Sequence, residues 1–492
     1  MANTTRKRLW AAGGALVALA TGITADAQAP QTVSPITQRE AQQGAQYHPQ
    51  FLAEFGGALS GPQATYVEQI GKNIAVQSGL GNAREVFTVS LLNSSVNNAF
   101  AVPGGYVYTT RQLVTLMNNE AELAAVLGHE VGHVAARHSQ RRQNAATKNT
   151  LLGIGGALLS GLIFGNSEVG RIGQQLALQG SQMLTLKFSR SQELEADDLG
   201  IQYLARAGYD RRAMGTVLAS LAAQNTLDAR LAGRDASVPA WASTHPDPAS
   251  RVQSALAKAG TASTGIVNRD TFLTRIDGMI YGDDPQQGVI EGSRFIHPAL
   301  RFAFSAPQGY YMTNGTRAVS IQGQGGGQAQ LTTAAYNGNL ETYVRQQFAA
   351  LGGQNSQLSP SDIQRTTING LPAVYASARV NNGNGQVDVV VVGYEFARDQ
   401  AFHFAAIAPA GRAATFNGMF QSMRRITQAE AGAVVPRRLQ VVTVGRGDTV
   451  ASLARRMAFD SAAEDRFRVL NALGSSGTVT PGQRVKLVVF AR

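Results

Sequence analysis

Two histidines four residues apart, His129 and His133 in "HEVGH", enclose Glu130 and form the stretch of this chain with the most pointed chemistry. On an α-helix, residues four apart are separated by about 40° around the axis and about 6 Å along it, so both imidazoles leave one face and can reach one ion. Glu130 is rotated by about 100° from His129, which lets its carboxylate flank a bound metal without ligating it. The pair is either half of a metal site with a base beside it or two incidental polar residues on a core helix. A catalytic zinc site takes three protein ligands and keeps one position open for water. No histidine follows at the short spacing of an x-x-G-x-x-H extension, so a third ligand has to come from elsewhere. Glu193 and Asp197, in "SRSQELEADD", are again four apart and share a helical face. One of these carboxylates can bind the metal while the other accepts the free N–H of a ligating histidine. His138 lies five residues beyond His133, off the face of the pair, and reads as a bystander.

These residues need helices to carry them. Asn119 is a good N-cap and Glu122 stands three residues on, as in a capping box, so a helix is predicted from there through "ELAAVLGHEVGHVA", apolar on the flank of Leu123, Val126 and Leu127. The helix carrying the two carboxylates should end at Gly208. From Gln38 to about Ala259 the pattern is mostly helical, with residues 62–78 as a further helix. It is interrupted by a strand-like "EVFTVSLLN" and by "NNAFAVPGGYVYTT", where Pro103-Gly104-Gly105 marks a turn between two short strands. Residues 151–164, "LLGIGGALLSGLIF", are uncharged but too short for a comfortable membrane span. A buried helix, a flexible apolar cover over a cleft and a membrane-surface segment are the readings left open.

Composition bounds the rest. A chain of 492 residues calls for two to four domains, and 44% hydrophobic with 15% charged residues is a globular balance. The formal charge of +11 comes from scattered arginines without interleaved aromatics, so no nucleic-acid partner is expected. There are no cysteines, which excludes disulfides, thiolate chemistry and a lipid anchor on cysteine. Residues 1–27 combine Arg6, Lys7 and Arg8, an apolar stretch from Leu9 to about Ile23, and Ala25-Asp26-Ala27. That order predicts a secretory signal peptide and a periplasmic protein, with an uncleaved anchor as the competing reading.

Further along, the period of the pattern shifts towards two. Residues 271–427 read as an α+β domain with strands in "GQAQLTTAAYN", "LPAVYASARVN", "GQVDVVVVGYEFA" and "AFHFAAIAPA", a turn at Asn369-Gly370, and helices in "NLETYVRQQFAAL" and "RAATFNGMFQSMRRI". His297 and His403 inside it read as structural. Residues 427–438 read as a linker. Residues 438–492 read as strand, helix, helix, strand.

At this point the chain resembles a known family. "HEVGH", then "SRSQELEAD", with "NAFAVPGG" upstream and "STHPDPASR" downstream, looks like the M48 zinc metallopeptidases, including their BepA-like periplasmic members and, more distantly, membrane CAAX-type peptidases. The resemblance covers residues 35–262 and implies a mainly α, zincin-like domain holding one Zn2+ per chain. It implies His129, His133 and Glu193 as zinc ligands, Glu130 as catalytic base and Asp197 as the carboxylate behind a ligand. It also implies that the strand Asn98, Ala99, Phe100, Ala101 pairs with substrate backbone. In the BepA-like members a histidine in an H-P context can occupy the open zinc position, and His245 matches it. His245 or Arg251 could instead donate to the oxyanion. No helical repeats of about 34 residues follow residue 265, so those members' mode of partner binding is not carried over. The last unit resembles a LysM module in "VGRGDTVASLARR", Asn471 and "PGQRVKL", which implies peptidoglycan as a partner. Residues 271–427 look faintly PsbP-like, with no function attached.

The expected protein is therefore multidomain: a metallopeptidase domain, an α+β domain and a small βααβ domain. Its expected activity is that of an exported zinc endopeptidase acting on misfolded or stalled cell-envelope proteins, self-inhibited by His245, with peripheral membrane contact left open. The alternative is a periplasmic chaperone or peptidoglycan-binding scaffold with a latent metal site. An intact Glu130 favours the enzyme, since a scaffold needs no base.

Overall fold

The computed structural model describes residues 34–141, 188–231, 245, 248–262, 264–323, 326–352, 358–360, 362–381 and 386–491. The expected signal peptide at 1–27 and the apolar run at 151–164 lie outside them.

The first unit is helical around a small sheet. Helix α1 (Gln38–Glu54) opens with a capping box between Thr37 and Glu40, and α2 (Pro62–Val76) starts on proline. Strands β1 (Thr88–Leu92), β2 (Ala99–Val102) and β3 (Tyr106–Thr110) form a sheet of order β1-β3-β2, with β2 antiparallel to β3 and on the edge. Then follow α3 (Arg111–Leu116), α4 (Glu120–Ala135), α5 (Arg190–Arg206), α6 (Ala213–Leu231), α7 (Pro248–Ala259) and α8 (Arg269–Ile276).

Helix α4 is the hub. Every residue in it except Val134 is buried, so its polar groups must find partners inside the protein. At its start Asn119 accepts from the Glu122 N–H at 2.9 Å, but the second half of the expected capping box does not form. The Glu122 carboxylate instead accepts from the Asn118 N–H at 2.7 Å and the Thr216 hydroxyl at 2.8 Å, because burial gives it neighbours in α6 as well as the local cap.

The second unit is rich in sheet. Seven strands run in the order 364–368, 371–381, 386–397, 400–409, 328–333, 318–323 and 310–314, all neighbours antiparallel. Helix Leu340–Gly352 packs Val344 and Phe348 against Val389, Val391 and Ile407 on one face. On the other face Phe404 meets Phe304 of a four-stranded sheet, with Phe416 in the same apolar cluster. With both faces covered, the central strand 386–397 loses simple alternation and is nearly all buried. The Asn369-Gly370 turn has positive φ at both residues, 48° and 77°, as a tight hairpin requires. The stretch "RAATFNGMFQSMRRI" is not one helix: a 3-10 turn, Ala413–Phe416, leads into a short helix, Asn417–Ser422, and Arg424–Arg425 joins the smaller sheet. Extended backbone at Met423 is what lets the chain rejoin that sheet.

The first and last of the three expected units are not separate in space. Residues 269–281 fall largely within the expected second unit, yet Phe272, Leu273 and Ile276 sit in the same apolar cluster as Ile74, Leu123 and Val131. Strand Ile280–Tyr281 pairs with Arg437–Arg438. The closing unit has strands Arg437–Thr443 and Arg484–Phe490, antiparallel, and helices Val450–Ala454 and Ala463–Leu470 between them. Its Leu439, Leu453, Phe467 and Leu487 belong to the first unit's core cluster as well. The sheet-rich unit is thus an insertion into a body made of the first and last units. The expected linker at 427–438 contains a short helix, Gln428–Gly432, capped by Thr427 with Glu430.

Candidate metal centre

The site forms where α4 and α5 cross at close range. A Cβ on Gly132 would lie 3.1 Å from the Ala196 carbonyl oxygen, so any larger residue would push the two backbones apart by a few tenths of an ångström. That approach brings Glu193 and Asp197 of α5 onto the face of α4 that carries His129 and His133. Among the described residues, His129, His133, Glu193 and His245 offer ligand atoms all within 4.8 Å of one another, and all four are buried.

The hydrogen bonds fix how the imidazoles are presented. His129 Nδ1 lies 2.9 Å from Asp197 Oδ1 and donates to it, which leaves the Nε2 lone pair facing the centre. His133 Nε2 is 3.0 Å from His129 Nε2, and Glu193 oxygens lie 3.5 and 3.6 Å from the two rings. Two imidazole lone pairs and a carboxylate converging on one point repel each other unless a positive charge sits among them. The local field says the same. Burial would lower the His129 pKa, but the Asp197 and Glu193 carboxylates outweigh it and raise it to about 9. Glu193, although buried, is held well below the carboxylate range by His245, His129 and their hydrogen bonds. A divalent cation satisfies all these donors at once, and a nitrogen, nitrogen and carboxylate set suits zinc.

Glu130 flanks the centre. Neither of its carboxylate oxygens has a hydrogen-bond partner among the described residues, and its side chain is fully buried. Burial pushes its pKa up, against the pull of His245 and His129. A buried carboxylate without a hydrogen bond, next to atoms that could hold a metal, is poised for a proton.

His245 lies over the ligands. Its Nδ1 is 3.1 Å from both Glu193 oxygens and 3.3 Å from His129 Nε2. Its Nε2 is 3.3 Å from the Ala99 carbonyl and 3.5 Å from Glu130 Oε1. The Ala99–Val102 strand is therefore at the site, as an edge strand. Within the other expected edge residue, Asn98, the backbone is bonded to Thr110 while the buried side-chain amide has no partner among the described residues.

Two expectations change. Arg251 does not face the centre as an oxyanion donor. Its Nε donates to Asp197 Oδ2 at 2.8 Å, Nη2 to Asp197 Oδ1 at 2.5 Å and Nη1 to Glu193 Oε2 at 2.7 Å, so its fork is committed to holding the two carboxylates. His138 is not a bystander either. It is fully buried with Nδ1 2.8 Å from His133 Nδ1 and Nε2 3.2 Å from Glu195 Oε2. Helical projection misses it because α4 stops at Ala135 and Arg137 takes a left-handed φ of 51°, which turns the chain back over His133. His297 and His403 lie in the sheet-rich unit: His403 Nδ1 bonds the Tyr343 hydroxyl at 2.8 Å, and His297 Nδ1 accepts from the Leu300 N–H at 3.2 Å.

Residues 62–259 match the model of Peptidase family M48. Over 193 residues the chain is 34% identical to a beta-barrel assembly-enhancing protease of Yersinia pestis, covering 39% of this chain and 37% of that protein. The corresponding protease of Escherichia coli K12 is 32% identical over 213 residues, 43% of this chain and 42% of its own length. The mitochondrial metalloendopeptidase OMA1 of Schizosaccharomyces pombe is 29% identical over 195 residues, 39% of this chain and 52% of its own. The matches thus cover 37%, 42% and 52% of these three relatives' own lengths, and residues 62–259, matched by the family model, include the whole His129, His133, Glu193 and His245 cluster.

Proposed function

We propose that this chain, whose residues 62–259 form a Peptidase family M48 domain, is a zinc-dependent endopeptidase of cell-envelope proteins. The observation that carries this is Glu130: a fully buried carboxylate with no hydrogen-bond partner among the described residues, set beside His129, His133 and Glu193. His129 and His133 through Nε2, and Glu193 through its carboxylate, would hold the ion. Bound zinc would lower the pKa of a coordinated water and polarise the scissile carbonyl. Glu130 takes the proton of the attacking water and returns it to the leaving amine. Asp197 accepts the His129 Nδ1 proton and Arg251 grips both Asp197 and Glu193, so neither ligand can rotate away. The edge strand Ala99–Val102 aligns an extended substrate segment by strand addition once His245 leaves the Ala99 carbonyl. Glu130→Gln should retain one zinc per chain and abolish cleavage of casein; full residual activity in the purified variant would sink the assignment.

His245 holds the site closed in the resting protein on this reading. It occupies the space between Glu193, Glu130 and the Ala99 carbonyl that a substrate's scissile bond would need. The same contact favours a second reading, a chaperone or scaffold whose metal site stays latent. His245→Ala separates them: faster casein cleavage than wild type supports the latch, and zinc-loaded but inactive protein in both forms supports the scaffold.

The strand–helix–helix–strand order of residues 437–490 supports the LysM-like assignment and, with it, binding to peptidoglycan glycan. An exported, periplasmic location would follow from the basic, apolar and small-residue order of residues 1–27. No helix among the described residues is long and apolar enough to cross a membrane. Co-sedimentation of the purified protein with peptidoglycan sacculi tests the first point, and fractionation of expressing cells tests the second.

A further inference from the structure

Each imidazole proposed to bind zinc needs its outer ring nitrogen to carry a proton and give it to an acceptor, so that the inner nitrogen is a bare ligand. For His129 the acceptor is Asp197, itself gripped by Arg251. For His133, among the described residues, neither a carboxylate nor a backbone carbonyl is bonded to Nδ1; the partner is His138 Nδ1, at 2.8 Å. We infer that His138 is a positioning residue for the metal, which with Glu195 fixes His133 in the tautomer that presents Nε2. This rests on the zinc-site reading above and adds a residue to it.

The proton assignment closes without conflict. Ligation through His133 Nε2 puts the ring proton on Nδ1, which donates to His138 Nδ1. That makes His138 the Nε2–H tautomer, and its Nε2 points at Glu195 Oε2, 3.2 Å away. Glu195 is in turn held by Arg141 at 2.9 Å. The line Arg141–Glu195–His138–His133 therefore repeats on one side of the centre what Arg251–Asp197–His129 does on the other. His138 is well fixed: the Gln192 side-chain amide donates to its carbonyl at 3.2 Å, and the Phe188 ring that stacks on His133 at a centroid distance of 4.0 Å is 5.9 Å from His138.

The turn that delivers His138 is also held from outside. Arg137 is not glycine, yet sits at φ 51°. Its guanidinium donates to Glu40 Oε1 at 3.0 Å and to the Ser34 and Pro35 carbonyls at 3.0 and 3.1 Å. Those bonds to the start of the domain offset the cost of the left-handed backbone.

The test is zinc affinity, read by competition with a chromophoric chelator, on full-length wild type, His138→Leu, His138→Gln and Glu195→Gln. Outer partners of this kind are worth roughly ten- to hundredfold in metal affinity. His138→Leu should weaken zinc binding by about that factor. His138→Gln, whose amide can accept from His133 and donate to Glu195, should recover most of the loss. Glu195→Gln, at a half-exposed position that tolerates substitution, should give a smaller loss of the same sign. Wild-type affinity in His138→Leu would overturn the assignment. So would a weakened His138→Gln that matches His138→Leu, because a packing role does not distinguish them by hydrogen bonding. If His138→Leu fails to fold without metal, Glu195→Gln decides alone: an unchanged affinity there overturns the relay. Absence of zinc from the wild type would instead overturn the metal-site reading itself.

Discussion

Replacing Arg251 by methionine should expose how much of the centre's stability rests on one buried cation. Its fork makes three charged hydrogen bonds, at 2.8, 2.5 and 2.7 Å, to two carboxylates that are themselves buried. Methionine keeps most of the apolar stem, so the change removes charge more than packing. Breaking a buried ion pair by deleting one partner costs about 3–5 kcal/mol, because the remaining charge is left without compensation. Without metal, both Asp197 and Glu193 lose this partner and keep the imidazoles of His129 and His245 beside them. With zinc bound, Glu193 keeps a cation and only Asp197 suffers, so the cost should fall to the low end, about 3 kcal/mol. For a domain of this size each kcal/mol moves Tm by about 2–4 °C, which places the metal-free variant roughly 6–20 °C below wild type. Scanning calorimetry of stripped and zinc-loaded samples reads both numbers. A metal-free melting point within about 2 °C of wild type would refute the view that Arg251 is the counter-charge holding the site together.

Two further outcomes follow from groups remote from the centre. Lys486→Met removes an ammonium buried in the closing unit, whose Nζ donates to the carbonyls of Thr115, Leu116 and Met117 at 2.8, 3.2 and 2.5 Å. Unpaired buried carbonyls cost about 1–3 kcal/mol each, so urea denaturation should show a loss of at least about 2 kcal/mol in the main transition; no change would mean that the closing unit is only loosely attached. His403 is buried as a neutral imidazole, and burial lowers its pKa from the ordinary 6.5 to about 3. The unfolded chain takes up this proton below pH 6.5 and the fold does not, so the contribution is complete above 6.5 and is lost as pH falls towards 3. Wild type should lose about 1.4 kcal/mol per pH unit more than His403→Gln over that window, measured by urea midpoints at pH 4.5 to 7.5. Parallel pH profiles would show that the imidazole is not neutral in the fold.

What could be read from the residues alone depended on whether the contacts were local. The i, i+4 spacing of His129 with His133 and of Glu193 with Asp197 is a property of any helix, and both pairs stand on helices here. The tight turns at Pro103-Gly104-Gly105 and Asn369-Gly370 follow from residue types that tolerate positive φ. The part played by His138 had no such signal. A left-handed residue after a helix is usually glycine or asparagine, and here it is Arg137, made tolerable by partners about a hundred residues earlier in the chain. Arg251 was visible as a cation near the motifs, but not its direction; three bonds to carboxylates of another helix decide that. The strands at 289–323 were missed because their short runs carry little alternation. The insertion of the sheet-rich unit was hidden because pairing of Ile280–Tyr281 with Arg437–Arg438 spans the whole insert.

That insertion changes what the closing unit can do for the peptidase domain. A terminal module on a flexible linker would add a binding function and leave the catalytic helix untouched. Here Lys486 caps the C-terminal carbonyls of α3, and Arg269, at the start of α8, donates to the Asn118 carbonyl at 2.7 Å and to the Arg484 carbonyl at 3.1 Å. Asn118 in turn donates to Glu122, whose pKa burial pushes up while Lys486 and Arg269 pull it down. The start of α4 is therefore fixed by the last strand of the chain, just as its end is fixed by Arg137 reaching Glu40 and the segment before α1. His129 and His133 sit between these two anchors on a helix buried on nearly all sides. A helix clamped at both ends by distant segments cannot shift its ligands independently of them. Changes in the closing unit should therefore reach the proposed metal centre as altered placement of His129 and His133, even though none of the described contacts joins that unit to either histidine.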